Sequence, residues 1–168
     1  MIWLVSAVAL VTLVMLIYFL IIQGATRYKP LRWWVLIGAF AWGAVGAVAI
    51  AVIGNTLGHG IMSWSLNADT ESDKVMGATA SFVAPLVEEL AKGLCVLALF
   101  VFSRYRSREL AGPLDGVVIG GIIGLGFSFT EDIGYVASAG NAAGGPAFLQ
   151  VFVMRSLVFG LGHATYTA

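Results

Sequence analysis

Between Ser81 and Leu94 the chain sets Glu88, Glu89, Lys92 and Pro85 inside a run that otherwise reads as lipid-soluble helix. An ionised side chain at bilayer depth is disfavoured by about 2.5–3.5 kcal/mol on insertion scales, so three within five positions call for a use, and a reaction site is the leading candidate. Residues four apart on a helix lie one above the other. The spacing therefore predicts a Glu88–Lys92 pair on one face, with Glu89 turned about 100° away and free. A carboxyl in a low-dielectric site serves as general acid or base near neutrality, and a neighbouring lysine can hold one acid ionised while the other shuttles a proton. That is the division of labour of a hydrolysis. Pro85 removes one backbone N–H three residues before Glu88, which opens a carbonyl toward the bundle interior.

Two later segments add to this set: Phe127-Ser-Phe-Thr-Glu131-Asp132, and His163-Ala-Thr-Tyr-Thr167 preceded by Arg155. Glutamate and histidine can jointly hold a water or a zinc ion, and zinc lowers the pKa of its bound water toward neutrality, so Zn2+ is a candidate cofactor. The sharper zinc-protease pattern, His-Glu-x-x-His, is not in the sequence. His163 and Thr167 are expected to stabilise an oxyanion. Each residue also has a structural reading, as an ion pair joining helices or a hydrogen-bonded buried histidine. Arg155 is expected to partner Asp115 or Asp132, and Asp115 to act as an N-cap. His59, between Gly58 and Gly60, reads as an ordinary loop histidine and Cys95 as packing. Three glutamates, a lysine and a histidine together exceed what packing needs.

The elements that must position these residues are membrane helices. The chain of 168 residues is 60% hydrophobic and 11% charged, less than half the charged fraction of about 25% in soluble domains. With zero net charge and no basic run beyond short clusters, nothing supports nucleic-acid binding. A single cysteine excludes an intramolecular disulfide. Apolar runs of spanning length predict an all-α, polytopic transmembrane bundle: one membrane domain with about five spans at residues 2–22, 33–53, 77–102, 117–137 and 147–168. Arg27, Lys29 and Arg32 after the first run, and Arg104, Arg106 and Arg108 after the third, put those ends in the cytoplasm and the N-terminus outside. Residues 55–76 read as a solvated outer loop and 140–146 as a second, glycine-rich one. On this layout Glu131 and His163 enter from opposite sides, each about 24 Å along its helix, and are expected at opposite levels of a ~30 Å core unless one segment starts deeper.

These residues resemble a known family. Ala84-Pro-Leu-Val-Glu-Glu-Leu-Ala-Lys92 is similar to the Glu-Glu-x-x-Lys motif of the PrsW intramembrane proteases. Asp115-Gly leading to Phe127-Ser-Phe-Thr-Glu131 resembles their Phe-x-x-x-Glu motif, and Arg155 with His163-Ala-x-Tyr-Thr their histidine motif. The resemblance covers residues 81–168. It implies an active site of Glu88, Glu89, Glu131 and His163 with Lys92 in support, in the wider group of CAAX-processing-type membrane proteases. It implies a metallo- or glutamate-type peptidase of the bacterial cell membrane acting on a membrane-anchored protein, such as an anti-sigma factor. The attacking water is then held either by zinc or by glutamate and histidine alone. Asp132 stands where the family pattern has asparagine, adding charge beside Glu131. Relatives continue into further helices after the histidine, so the chain is expected to be a C-terminally truncated member. Buried acids with a histidine also suit a proton- or ion-coupled transporter, and buried pairs alone suit a scaffold.

Overall fold

A computed structural model describes residues 1–24, 31–102 and 112–168. Arg27, Lys29, Arg104, Arg106 and Arg108, on which the expected orientation partly rests, lie outside them. All regular structure among the described residues is helical. Helix α1 is Ile2–Gly24 and α2 is Trp33–Leu66, with a π-helical turn at Trp42–Ala47. Helix α3 covers residues 73–102, with a π turn at Thr79–Val83, and α4 is Pro113–Phe152, running on through a π turn at Val153–Val158. A short α5, Gly162–Thr167, follows. Ile2–Gly24, Trp33–Leu66 and Pro113–Thr167 are long and apolar enough to cross a membrane, and the chain is a membrane protein.

The first arm of α4 is the centre of the bundle. Every residue from Val118 to Ser128 is buried, as expected of a helix that is apolar on all sides. Leu31, Val35, Leu36 and Ala39 cover Val118, Ile119, Ile122 and Ile123 from one side. Val11 and Met15 of α1 cover Leu125 from another. Glycines set how close the neighbours come: a Cβ on Gly43 would strike the Ile123 carbonyl, and one on Gly126 the Phe40 carbonyl, so α2 and α4 cross backbone to backbone. Gly38 and Gly46 of α2 do not meet α4 in this way. Gly38 faces open space, and Gly46 lies under its own helix's Trp42.

Both expected outer loops are mostly helix. Leu57, Ile61, Met62 and Trp64 continue the apolar pattern, and α2 runs on to Leu66. Only residues 67–72 turn, with Asn67 left-handed at φ 50° and the Ser72 hydroxyl accepting from the Val75 amide. His59 is thereby a helix residue. Its Nε2 lies 2.9 Å from the Thr70 carbonyl and its Nδ1 3.0 Å from the Thr79 hydroxyl, clasping α2 to the start of α3. In the second case the helix breaks only at Gly144, whose φ of 78° and ψ of −162° favour glycine, and Pro146 starts the returning arm. Asp115 is not the N-cap; it sits at the third helical position and its carboxylate accepts from the Gly112 amide at the cap.

The tight turn at Gly144 corrects the expected depth conflict. The two arms run antiparallel: Arg155 meets Asp132, the His163 carbonyl packs where Gly124 has no side chain, and the Thr167 carbonyl does the same at Gly120. Counted from the turn, Glu131 lies about 20 Å along one arm and His163 about 28 Å along the other. Helical side chains lean toward their own N-terminus. Glu131 therefore leans away from the turn and His163 toward it, and their side chains meet at 3.2 Å.

Candidate active site

The helices around the cluster carry three π turns, in α2, at the head of α3 and in the returning arm. A π turn frees backbone acceptors and redirects side chains, and such turns are frequent at functional sites. The Ala44 carbonyl in the first accepts the Thr130 hydroxyl at 2.7 Å, and Trp42 beside it donates its indole N–H to the Ala91 carbonyl at 3.1 Å. Gly54 and Gly58 of α2 admit Val87 and Val83 of α3, which brings Asn55 against Glu88.

Lys92 is the buried hub. With 0% of its surface exposed, its ammonium donates to Glu89 Oε1 at 2.6 Å and to His163 Nδ1 at 2.9 Å, over the Phe127 ring at 4.3 Å. A buried cation must be paired, and Glu89 supplies the charge. The expected Glu88–Lys92 pair is thus not formed. Three-residue and four-residue spacings both make helix neighbours, and the His163 side of α3 selects Glu89. Because a lysine ammonium only donates, His163 accepts at Nδ1 and carries its proton on Nε2, which points at Glu131 Oε2, 3.2 Å away. The Thr167 hydroxyl donates to Glu89 Oε2 at 3.1 Å, so it serves Glu89 and not an oxyanion as expected.

Glu131 also accepts from Arg155 at 2.9 Å, and Arg155 pairs with Asp132 at 3.0 Å, one of the two partners the sequence suggested for it. Glu88 differs from these acids in making no ion pair among the described residues. It lies within electrostatic reach of Glu131, Lys92 and His163, beside the Asn55 side chain. A cavity of roughly 630 Å³ opens between α3, at Ala84, Pro85, Glu88 and Glu89, and the hairpin, at Glu131, Tyr135, Arg155 and His163. The five residues singled out in the sequence are brought together. Asn55 and Tyr135 are additions: Asn55 sat in an expected loop, and Tyr135 carried no motif.

Zinc does not fit this arrangement. Among the described residues no three histidine, cysteine, aspartate or glutamate side chains converge as metal ligands. Both imidazole nitrogens of His163 are engaged, and cationic nitrogens of Lys92 and Arg155 lie against Glu89 and Glu131, where a metal would have to bind. Elemental analysis of the purified protein is expected to find no stoichiometric zinc. One zinc per chain that disappears on His163→Ala would overturn this.

The seat of α5 is equally specific. A Cβ at Gly124 would overlap the His163 carbonyl, whereas one at Gly134 meets nothing within 4 Å. Gly124→Val is expected to lower stability by about 1–3 kcal/mol through overpacking. It should also displace His163, while Gly134→Ala leaves the site in place. Thermal unfolding and the 15N histidine spectrum of the two variants check this.

A family model described as PrsW family intramembrane metalloprotease matches residues 31–168. That match takes in α2 to α5 and every residue of the cluster. No curated protein and no solved structure matches the chain.

Proposed function

The chain belongs to the PrsW family of intramembrane metalloproteases, and from that premise we propose that it hydrolyses a peptide bond of a membrane-anchored protein, with Glu88 as general base. The observation that carries this reading is that Glu88 lines the cavity without a cationic partner among the described residues, while Glu89, Glu131 and Asp132 are each held by one. A carboxylate locked to an ammonium or guanidinium is a poor proton acceptor; Glu88 is free to take the proton.

In the proposed reaction a water in the cavity gives a proton to Glu88 as its oxygen attacks the scissile carbonyl carbon. The Nε2–H of His163, on the facing wall, shares its proton between Glu131 Oε2 and the oxyanion as that charge forms. Glu88 then passes the proton to the amide nitrogen as the C–N bond breaks, leaving a carboxylic acid and an amine. Lys92 and Glu131 hold His163 in the donating tautomer and orientation. No step runs through a metal. The substrate class proposed is a single-span protein of the bacterial cell membrane, such as an anti-sigma factor, met by a protease with its N-terminus outside.

The test is co-expression with a tagged single-span substrate, changing Glu88, Glu89, Glu131 and His163 in turn to alanine. Glu88→Ala and His163→Ala are expected to abolish the cleaved product. Cleavage that survives all four changes would falsify the proposal.

A further inference from the structure

The Arg155 cluster has a geometry that helix joining alone does not need. The guanidinium splits its donors between consecutive acids of α4: Nε to Asp132 Oδ1 at 3.0 Å and a terminal nitrogen to Glu131 Oε2 at 2.9 Å. The other Asp132 oxygen accepts from the Ser156 hydroxyl at 2.9 Å, and the guanidinium carbon stands 4.1 Å from the centre of the Tyr135 ring. Asp132 and Ser156 are 2% and 0% exposed, whereas the Arg155 side chain keeps 32% and borders the cavity. The π turn at Val153–Val158 lets consecutive residues 155 and 156 both reach Asp132. One carboxylate would suffice to glue two arms. Here Asp132, Ser156 and Tyr135 fix the plane of the fork so that its free end falls on Glu131.

We propose that Arg155 is a positioning residue that holds Glu131 against His163, and that Asp132, braced by Ser156, sets the plane of its guanidinium. The aspartate at 132, where the family pattern has asparagine, then has a use: its two oxygens accept from Arg155 and Ser156 at once, and its charge strengthens the bond to the guanidinium. A lysine could reach one acid but not bridge both in a fixed plane. The proposal rests on the reading that Glu131 and His163 belong to the reaction centre.

The experiment uses the full chain, purified in lipid nanodiscs, and a tagged single-span substrate. Arg155→Lys is expected to lower kcat about tenfold or more with KM within about twofold, and Asp132→Asn to lower kcat about threefold to tenfold. Against Glu131→Gln, adding Arg155→Lys should cost less than about a further twofold, because both changes remove the same contact. Arg155→Lys with kcat within twofold of the unaltered chain, or a loss that multiplies fully with that of Glu131→Gln, would overturn the proposal. Should Arg155→Lys not fold, an unchanged kcat in Asp132→Asn overturns it and a selective fall supports it. If the unaltered chain cleaves nothing, the functional reading fails by itself. The positioning claim is then judged by the same cycle read as Tm: non-additive shifts support it and additive ones sink it.

Discussion

Glu88→Gln is expected to lower the rate of substrate cleavage by about 10²- to 10⁴-fold, the range in which a positioned general base contributes, with little change in thermal stability. The amide keeps the shape of the side chain but cannot take a proton from water. No ion pair is broken, because Glu88 has none among the described residues, so the folded chain loses chemistry and not structure. Glu89→Gln makes the contrast. It removes the charge that balances the Lys92 ammonium at 2.6 Å and weakens the acceptor of the Thr167 hydroxyl, so it should lower Tm along with activity. Rates and unfolding curves for the two glutamines, measured side by side, assign the roles. If Glu89→Gln is the variant that folds normally and loses all turnover, while Glu88→Gln keeps turnover, the assignment of the base is wrong.

The second large effect is expected at Lys92. Lys92→Met fills nearly the same volume without charge or donor. Breaking a fully buried pair from one side costs about 3–5 kcal/mol. The Glu89 side chain is 38% exposed and can recover some hydration, so the loss here should be nearer 1–3 kcal/mol. Activity should fall further than stability, by about 10²-fold or more, because His163 Nδ1 loses the Lys92 donor and the proton is free to move between the ring nitrogens. With two histidines in the chain, 15N labelling gives a direct reading. The unaltered protein should show His163 as the Nε2–H tautomer, and Lys92→Met should show a mixture. A single unchanged tautomer in the variant would remove Lys92 from the mechanism.

Much of the candidate site is legible in the sequence. Glu88, Glu89, Lys92, Glu131 and His163 stand out because charge in apolar helices is rare, and each belongs to the cluster that the fold assembles. Pair choice was not legible. Spacing allowed Lys92 to take Glu88 or Glu89, and the choice depends on where His163 and Thr167 arrive from more than seventy residues downstream. Asn55 escaped because the helix containing it was expected to stop at the last strongly apolar residues, whereas packing of Gly54 and Gly58 against Val87 and Val83 carries it on.

By itself the sequence determined the membrane class, the all-α architecture and the family, because hydropathy, helical period and motif spacing are local properties of the chain. Tertiary structure decided which acid is free, which tautomer His163 holds and whether the two arms meet. The reason is geometric. A single left-handed glycine at 144 turns the chain back tightly, and from there the opposite lean of side chains on antiparallel arms brings Glu131 and His163 to 3.2 Å although helical rise alone sets them apart. No count of residues along the chain contains that angle; it exists only once α4 has folded back on itself beside Lys92.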